Sequence, residues 1–338
     1  MLFCPYRGQG MDGTSLSDVG VAGFHAALYA LVLATVSTSG FLDSVYTRDD
    51  DTGQVAVEAW QEVSSRLLNL PLQLDVFLCL LYIYMGVHFI LRSRKFAQDH
   101  ANACKEGDIY MSYVLNWMCI IDSISHLVYH CTLAKRALIM NQWYSVGISA
   151  WGTSFVRHLD SGWSVSRNLW YMRVSALSYG LAFLHPQGFS AVVALHVISA
   201  VFTVLTMLST FERPPPPITK IFYKGLFCVI LFFLFNYLKS ILINTFIFKL
   251  ISVHLMADIC TCFLYYFAMQ FFLTHFDMRA EELQQRATTV GRRTPARRRV
   301  SRHSLWQFDF LCVDSLKGCL PFTLLLHLLC QAAGNIWV

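Results

Sequence analysis

Eight stretches of about 20 mostly apolar residues recur between Val19 and Phe276, and this recurrence limits the fold more than any other feature. A bilayer core about 30 Å thick takes about 20 such residues per crossing helix. Water is absent there, so a spanning segment must satisfy its own backbone as a helix or join a closed barrel. The runs are continuous rather than alternating, which selects helices. They are Val19–Leu42, Leu70–Leu91, Ile109–Leu133, Ala137–Val156, Asn168–Leu184, Gly188–Phe211, Phe222–Leu242 and Leu250–Phe276. The first is too long, and its N-terminal flank too poor in basic residues, for a cleaved signal, so it counts as a span. The fourth is the weakest, being interrupted by Asn141 and Gln142. The predicted fold is therefore all-α: a polytopic transmembrane helix bundle of about eight spans. Six or seven result if the fourth and fifth merge into an irregular pair.

Composition agrees. Of the residues, 55% are hydrophobic and only 14% charged, against about 25% charged in soluble domains. The eleven cysteines are odd in number and lie mostly in or beside apolar runs. They read as small buried hydrophobes rather than a disulfide framework. Cys260-x-Cys262 is a weak metal signal, because two residues apart on a helix face different ways.

Basic residues set the expected orientation, since cytoplasmic flanks are enriched in Lys and Arg. With the N-terminus inside, the inner flanks carry Arg92, Arg94, Lys95, Lys105, Arg157, Arg167, Arg213, Lys220, Lys224 and eight arginines from Arg279 to Arg302. The outer flanks carry only Arg48, Arg66, Lys135, Arg136, Lys239 and Lys249. The bias is 17 to 6 and places both termini in the cytoplasm. The predicted organisation is a cytoplasmic segment at 1–18, the bundle at 19–277, and a basic, largely disordered tail at 278–338 that ends in an apolar stretch. Arg292, Arg293, Arg297, Arg298 and Arg299 in that tail are candidates for contact with anionic lipid. An arginine-based trafficking signal is the other reading of the same cluster. The run Pro214–Pro217 reads as an extended, stiff linker, with a docking site for a proline-reading domain as the other reading. Trp60, Trp143, Trp163 and Trp170 fall near expected interfaces.

Between the fifth and sixth spans lies His185-Pro186-Gln187-Gly188. Proline ends one helix and glycine can take a positive φ, so the motif reads as a short non-cytoplasmic hairpin. The stretch around it, "SYGLAFLHPQGF", together with "NQWYSVGISAW" and "FFLTHF", resembles the transmembrane protein 187 family over roughly residues 20–277. The resemblance implies a multi-pass protein of the endomembrane system, in the Golgi or endoplasmic reticulum, with six spans and no established activity.

Charged groups at bilayer depth mark contacts or sites. In the third span Asp122, His126 and His130 follow at intervals of four, on one drifting stripe. The sixth span adds His196, and the eighth His254 and Asp258. Two readings remain. These residues glue helices together, Asp122 pairing with His126, Arg173 or Lys239. Alternatively, Asp122, His126, His130, His196, His254 and Asp258 hold a zinc ion for intramembrane lipid hydrolysis. A lipid-handling role is a third class, with membrane lipids as partners. Nothing resembles a nucleotide-binding loop, a serine nucleophile elbow or a nucleic-acid module. The favoured reading is a structural or lipid-interacting membrane protein without a cofactor.

Overall fold

A computed structural model describes residues 16–42, 70–100, 107–132, 135–162, 165–184, 188–211, 215–242 and 253–290. All belong to one compact unit. They form eight helices: α1 (Leu16–Thr38), α2 (Leu70–Asp99), α3 (Asp108–Thr132), α4 (Lys135–Ser161), α5 (Val165–Leu184), α6 (Gly188–Ser209), α7 (Pro216–Leu242) and α8 (Val253–Val290). No strand occurs among the described residues.

Five of these segments are long and apolar enough to cross a membrane: Leu16–Thr38, Asp75–Asp99, Gly188–Ser209, Pro216–Asn236 and Leu255–Leu283. Helices α3, α4 and α5 fall short of that hydropathy because they carry the polar groups. Their position explains why. In α4, 14 of 27 residues are buried, against 6 of 23 in α1. α3 packs on α1, α2 and α4, and α4 also packs on α6. Helices α3 and α4 thus sit innermost, where protein rather than lipid meets their side chains, whereas α5 is more peripheral, with Arg173, Ala176 and Leu177 exposed.

Contact directions agree with eight alternating passes. Ser93 of α2 meets Ser112 of α3, and Gly86 faces Ile120, so these neighbours are antiparallel. Asp108 meets His158 while Asp122 meets Asn141, so α3 and α4 are antiparallel. Helices α2 and α8 run parallel, as alternation requires of the second and eighth, with Tyr82 stacked on Tyr265 and Phe96 on Phe276. Helices α4 and α6 also run parallel: Val146 clusters with Val192, and Arg157 reaches Ser199.

The main core lies among α2, α3, α4 and α8. Phe89, Tyr113, Tyr144, Phe155 and Met269 are fully buried there. Phe155 and Phe272 lie 4.3 Å apart at their ring centroids. Large apolar side chains also cover the outside, among them Phe24, Phe77, Tyr84, Leu177, Phe202 and Phe227. Apolar surface of that extent marks contact with a partner or a membrane. Five described cysteines, Cys79, Cys119, Cys228, Cys260 and Cys262, are free and buried, as the small-hydrophobe reading expects.

Several boundaries differ from expectation. α7 begins at Pro216 rather than Phe222, so Pro216 and Pro217 form its first turn and not an extended linker. Proline suits that place because the first amides of a helix have no intrahelical partner. The Thr219 amide donates to the Pro215 carbonyl at 3.2 Å and closes the turn. Gly188 opens α6 as a buried helical residue, so it does not take the left-handed turn conformation expected of it. Residues 185–187 lie outside the described part. Trp143 is buried within the protein, stacked on Tyr179 at 4.7 Å. Trp60 and Trp163, and the side chain of Trp170, lie outside the described part. α8 continues unbroken for 38 residues. At about 1.5 Å per residue that is roughly 57 Å, well beyond a bilayer core.

Candidate functional site: polar clusters inside the bundle

At one end of the bundle Gly107, with φ of 90°, turns the chain into α3 and sets Asp108 in its first turn. A helix N-terminus favours a carboxylate. Asp108 is fully buried, and its two oxygens meet two other helices. Oδ2 accepts from the Arg279 guanidinium of α8 at 2.6 Å, and Oδ1 lies 2.7 Å from Nε2 of His158. His158 occupies the last turn of α4, where the helix dipole favours a basic group. The start of α3, the end of α4 and a point in α8 eleven residues before its end are thereby joined.

Deeper in, Asn116 of α3 donates to the Ser112 carbonyl at 2.7 Å and accepts from the Tyr265 hydroxyl of α8. Ser112 and Ser93 share a hydrogen bond of 2.8 Å. All four are buried, and together they link α2, α3 and α8.

The remaining clusters join α1, α3, α4, α5 and α6. Tyr29 and Tyr179 share a hydroxyl contact of 2.6 Å above the Trp143 carbonyl. The Tyr144 hydroxyl donates to the Ala26 carbonyl at 3.2 Å. His25 meets the Tyr110 hydroxyl at 2.6 Å. His196 is enclosed: its Nδ1 lies 2.7 Å from the Tyr171 hydroxyl and its Nε2 3.3 Å from Ser178 Oγ. Its carbonyl accepts from Thr153 at 2.8 Å. Arg157 stands 4.9 Å from the Tyr171 ring centroid, a cation–π contact, and donates to Ser199 at 2.9 Å.

The stripe residues divide accordingly. Asp122 is half-buried and accepts from Asn141 Nδ2 at 3.1 Å and Ser145 Oγ at 3.3 Å. Neutral amide and hydroxyl donors on α4 hold it, and Arg173, one of the three partners the sequence offered, is exposed. The His126 ring stacks on Tyr129 with centroids 6.4 Å apart. Asp258 is half-buried in α8. The side chains of His130, His254 and Lys239, and all of Arg292, Arg293, Arg297, Arg298 and Arg299, lie outside the described part. Among the described residues, no three His, Cys, Asp or Glu side chains are placed to share a metal ion. Sequence reasoning missed the Asp108–His158–Arg279 group. The available signal was that all three fall at span ends on the same expected side.

The clusters occur in a stretch of sequence that matches a known set of proteins. A model of the TMEM187 protein family matches residues 22–273. The chain belongs to that family. Transmembrane protein 187 of Homo sapiens is 27% identical over 262 residues, covering 76% of this chain and 93% of the relative. Transmembrane protein 187 of Bos taurus is 29% identical over 187 residues, covering 54% and 70%. No solved structure matches. The TMEM187 match spans most of the described bundle, from inside α1 to inside α8, so the polar clusters lie largely within the family's own region.

Proposed function

We propose that this TMEM187 family member is a structural, lipid-engaging component of an internal membrane, with no catalytic centre at bilayer depth. The enclosure of His196 carries the reading. Both ring nitrogens of the best-buried candidate ligand face hydroxyl groups of the protein, Tyr171 and Ser178. Asp122 is likewise engaged by Asn141 and Ser145. Interhelical polar contacts of this kind contribute on average about 0.6 kcal/mol each in membranes and fix which helices pair. Exposed aromatic and aliphatic side chains supply the lipid-facing surface. Placement in the Golgi or endoplasmic reticulum follows what the family likeness implies. The 17-to-6 basic bias supports cytoplasmic termini, with Arg292, Arg293, Arg297, Arg298 and Arg299 as an anionic-lipid contact.

Elemental analysis of the purified protein tests the reading. It should find no stoichiometric zinc, and His196→Ala should lower the unfolding temperature through loss of the Tyr171 and Ser178 contacts. One zinc per chain, released by both His126→Ala and His254→Ala, would instead establish a ligand set.

A further inference from the structure

We propose that the first half of α7 carries a binding site for an anionic phospholipid. A shallow, open surface region is lined by Pro216, Thr219, Lys220, Tyr223, Lys224 and Phe227, all on one helix. The spacing places Pro216, Lys220, Tyr223 and Phe227 on a single face, which Ile230 and Leu234 continue toward the middle of the span. The opposite face is the packed one: Ile218, Phe222 and Val229 are buried. Tyr223 and Phe227 are 60% and 61% exposed, so among the described residues nothing covers this side.

Charge selects the occupant. Both lysines lie within the apolar segment Pro216–Asn236, and among the described residues neither is ion-paired. Both lysines are exposed, and Lys224 Nζ stands 5.7 Å from the Phe267 ring centroid of α8, a cation–π contact beside the helix pair. Two cations one helical turn apart, beside aromatic rings and above an aliphatic strip, match a phosphate headgroup with its acyl chains running along Phe227, Ile230 and Leu234. Lysine is a compact donor for phosphate oxygens, and basic residues near a membrane surface attract anionic lipid. A zwitterionic lipid presents the same chains without net negative charge. This inference rests on the lipid-engaging reading above and narrows it to one headgroup class at one place. The zinc measurement does not bear on it, so the two fail separately.

The test uses the full chain, purified in detergent and titrated with phosphatidylserine or phosphatidylcholine while bound lipid is counted by native mass spectrometry. The wild type should retain phosphatidylserine over phosphatidylcholine. Lys220→Gln with Lys224→Gln should reduce phosphatidylserine retention at least about fivefold and leave phosphatidylcholine unchanged, while Lys220→Arg with Lys224→Arg should preserve the preference. An unchanged unfolding temperature in lipid-free detergent checks that the glutamine variant is folded. The assignment is overturned if the glutamine variant keeps the preference. It also fails if only Arg297→Gln, Arg298→Gln and Arg299→Gln together abolish the preference, or if inorganic phosphate displaces the lipid at equal concentration.

Discussion

Asp108→Ala is expected to lower the stability of the detergent-solubilised protein by about 3–5 kcal/mol, the usual loss when one partner of a buried ion pair is removed. The loss arises less from the missing attraction than from what remains. Arg279 would stay largely enclosed without its 2.6 Å partner, and His158 would lose the carboxylate 2.7 Å away. The start of α3 would also lose its favourable negative charge. Apolar replacement of buried pairs is often tolerated, so Asp108→Leu combined with Arg279→Met should recover part of the loss. Salt should change the effect little, because Asp108 is fully buried and screening acts mainly on exposed charges. Thermal unfolding of the single and double variants at low and high salt is the check. Additive losses in the double variant would mean that the two residues act independently.

The second large effect is expected at Gly86. A Cβ added there would lie 2.5 Å from Ile120 Cγ1 and 3.2 Å from the Asn116 carbonyl oxygen. Ile120 is stiff at χ1 and buried, so it has little room to move aside. Gly86→Ala therefore forces α2 away from α3 and should cost about 1–3 kcal/mol, the range for overpacked cores. The shift would also strain the Ser93–Ser112 and Asn116–Tyr265 contacts, which bridge the same helices. Ile120→Ala opens a cavity when made alone but accommodates the new methyl when combined with Gly86→Ala. The double variant should be clearly less destabilised than the sum of the two singles. A simple sum would remove the close approach of α2 and α3 as the cause. At Gly147 an added Cβ would instead meet the ring and hydroxyl of Tyr29, which is itself held by Tyr179 and the Trp143 carbonyl.

The helix count was legible because lipid imposes a length and a composition on each crossing segment. The polar helices α3 and α4 were legible as spans only against their own hydropathy, since Asn116, Asn141 and Gln142 look out of place until their buried positions are seen. Pro216 and Pro217 misled, because proline looks like a linker in sequence yet suits the first turn of a helix. Of the candidate metal set, the i, i+4 stripe placed Asp122 and His126 together on α3, but spacing along one helix says nothing about what faces it. Asn141 and Ser145 of α4 meet Asp122, and Tyr171 of α5 meets His196. The Asp108 group was hidden for another reason. Charges at span ends serve orientation as well as contact, and a linear sequence does not tell the two apart.

The central claim is that all eight helices alternate across the membrane, including the three that are less apolar than the other five. Glycosylation sequons inserted singly at Thr52, near Lys249 and near Arg293 test it in cells. With eight passes and a cytoplasmic N-terminus, the sites at Thr52 and near Lys249 are modified and the site near Arg293 is not. If only the five most apolar segments crossed, Thr52 would still be modified, but the pattern beyond α6 would reverse: no modification near Lys249 and modification near Arg293. That reversed pattern would contradict the account.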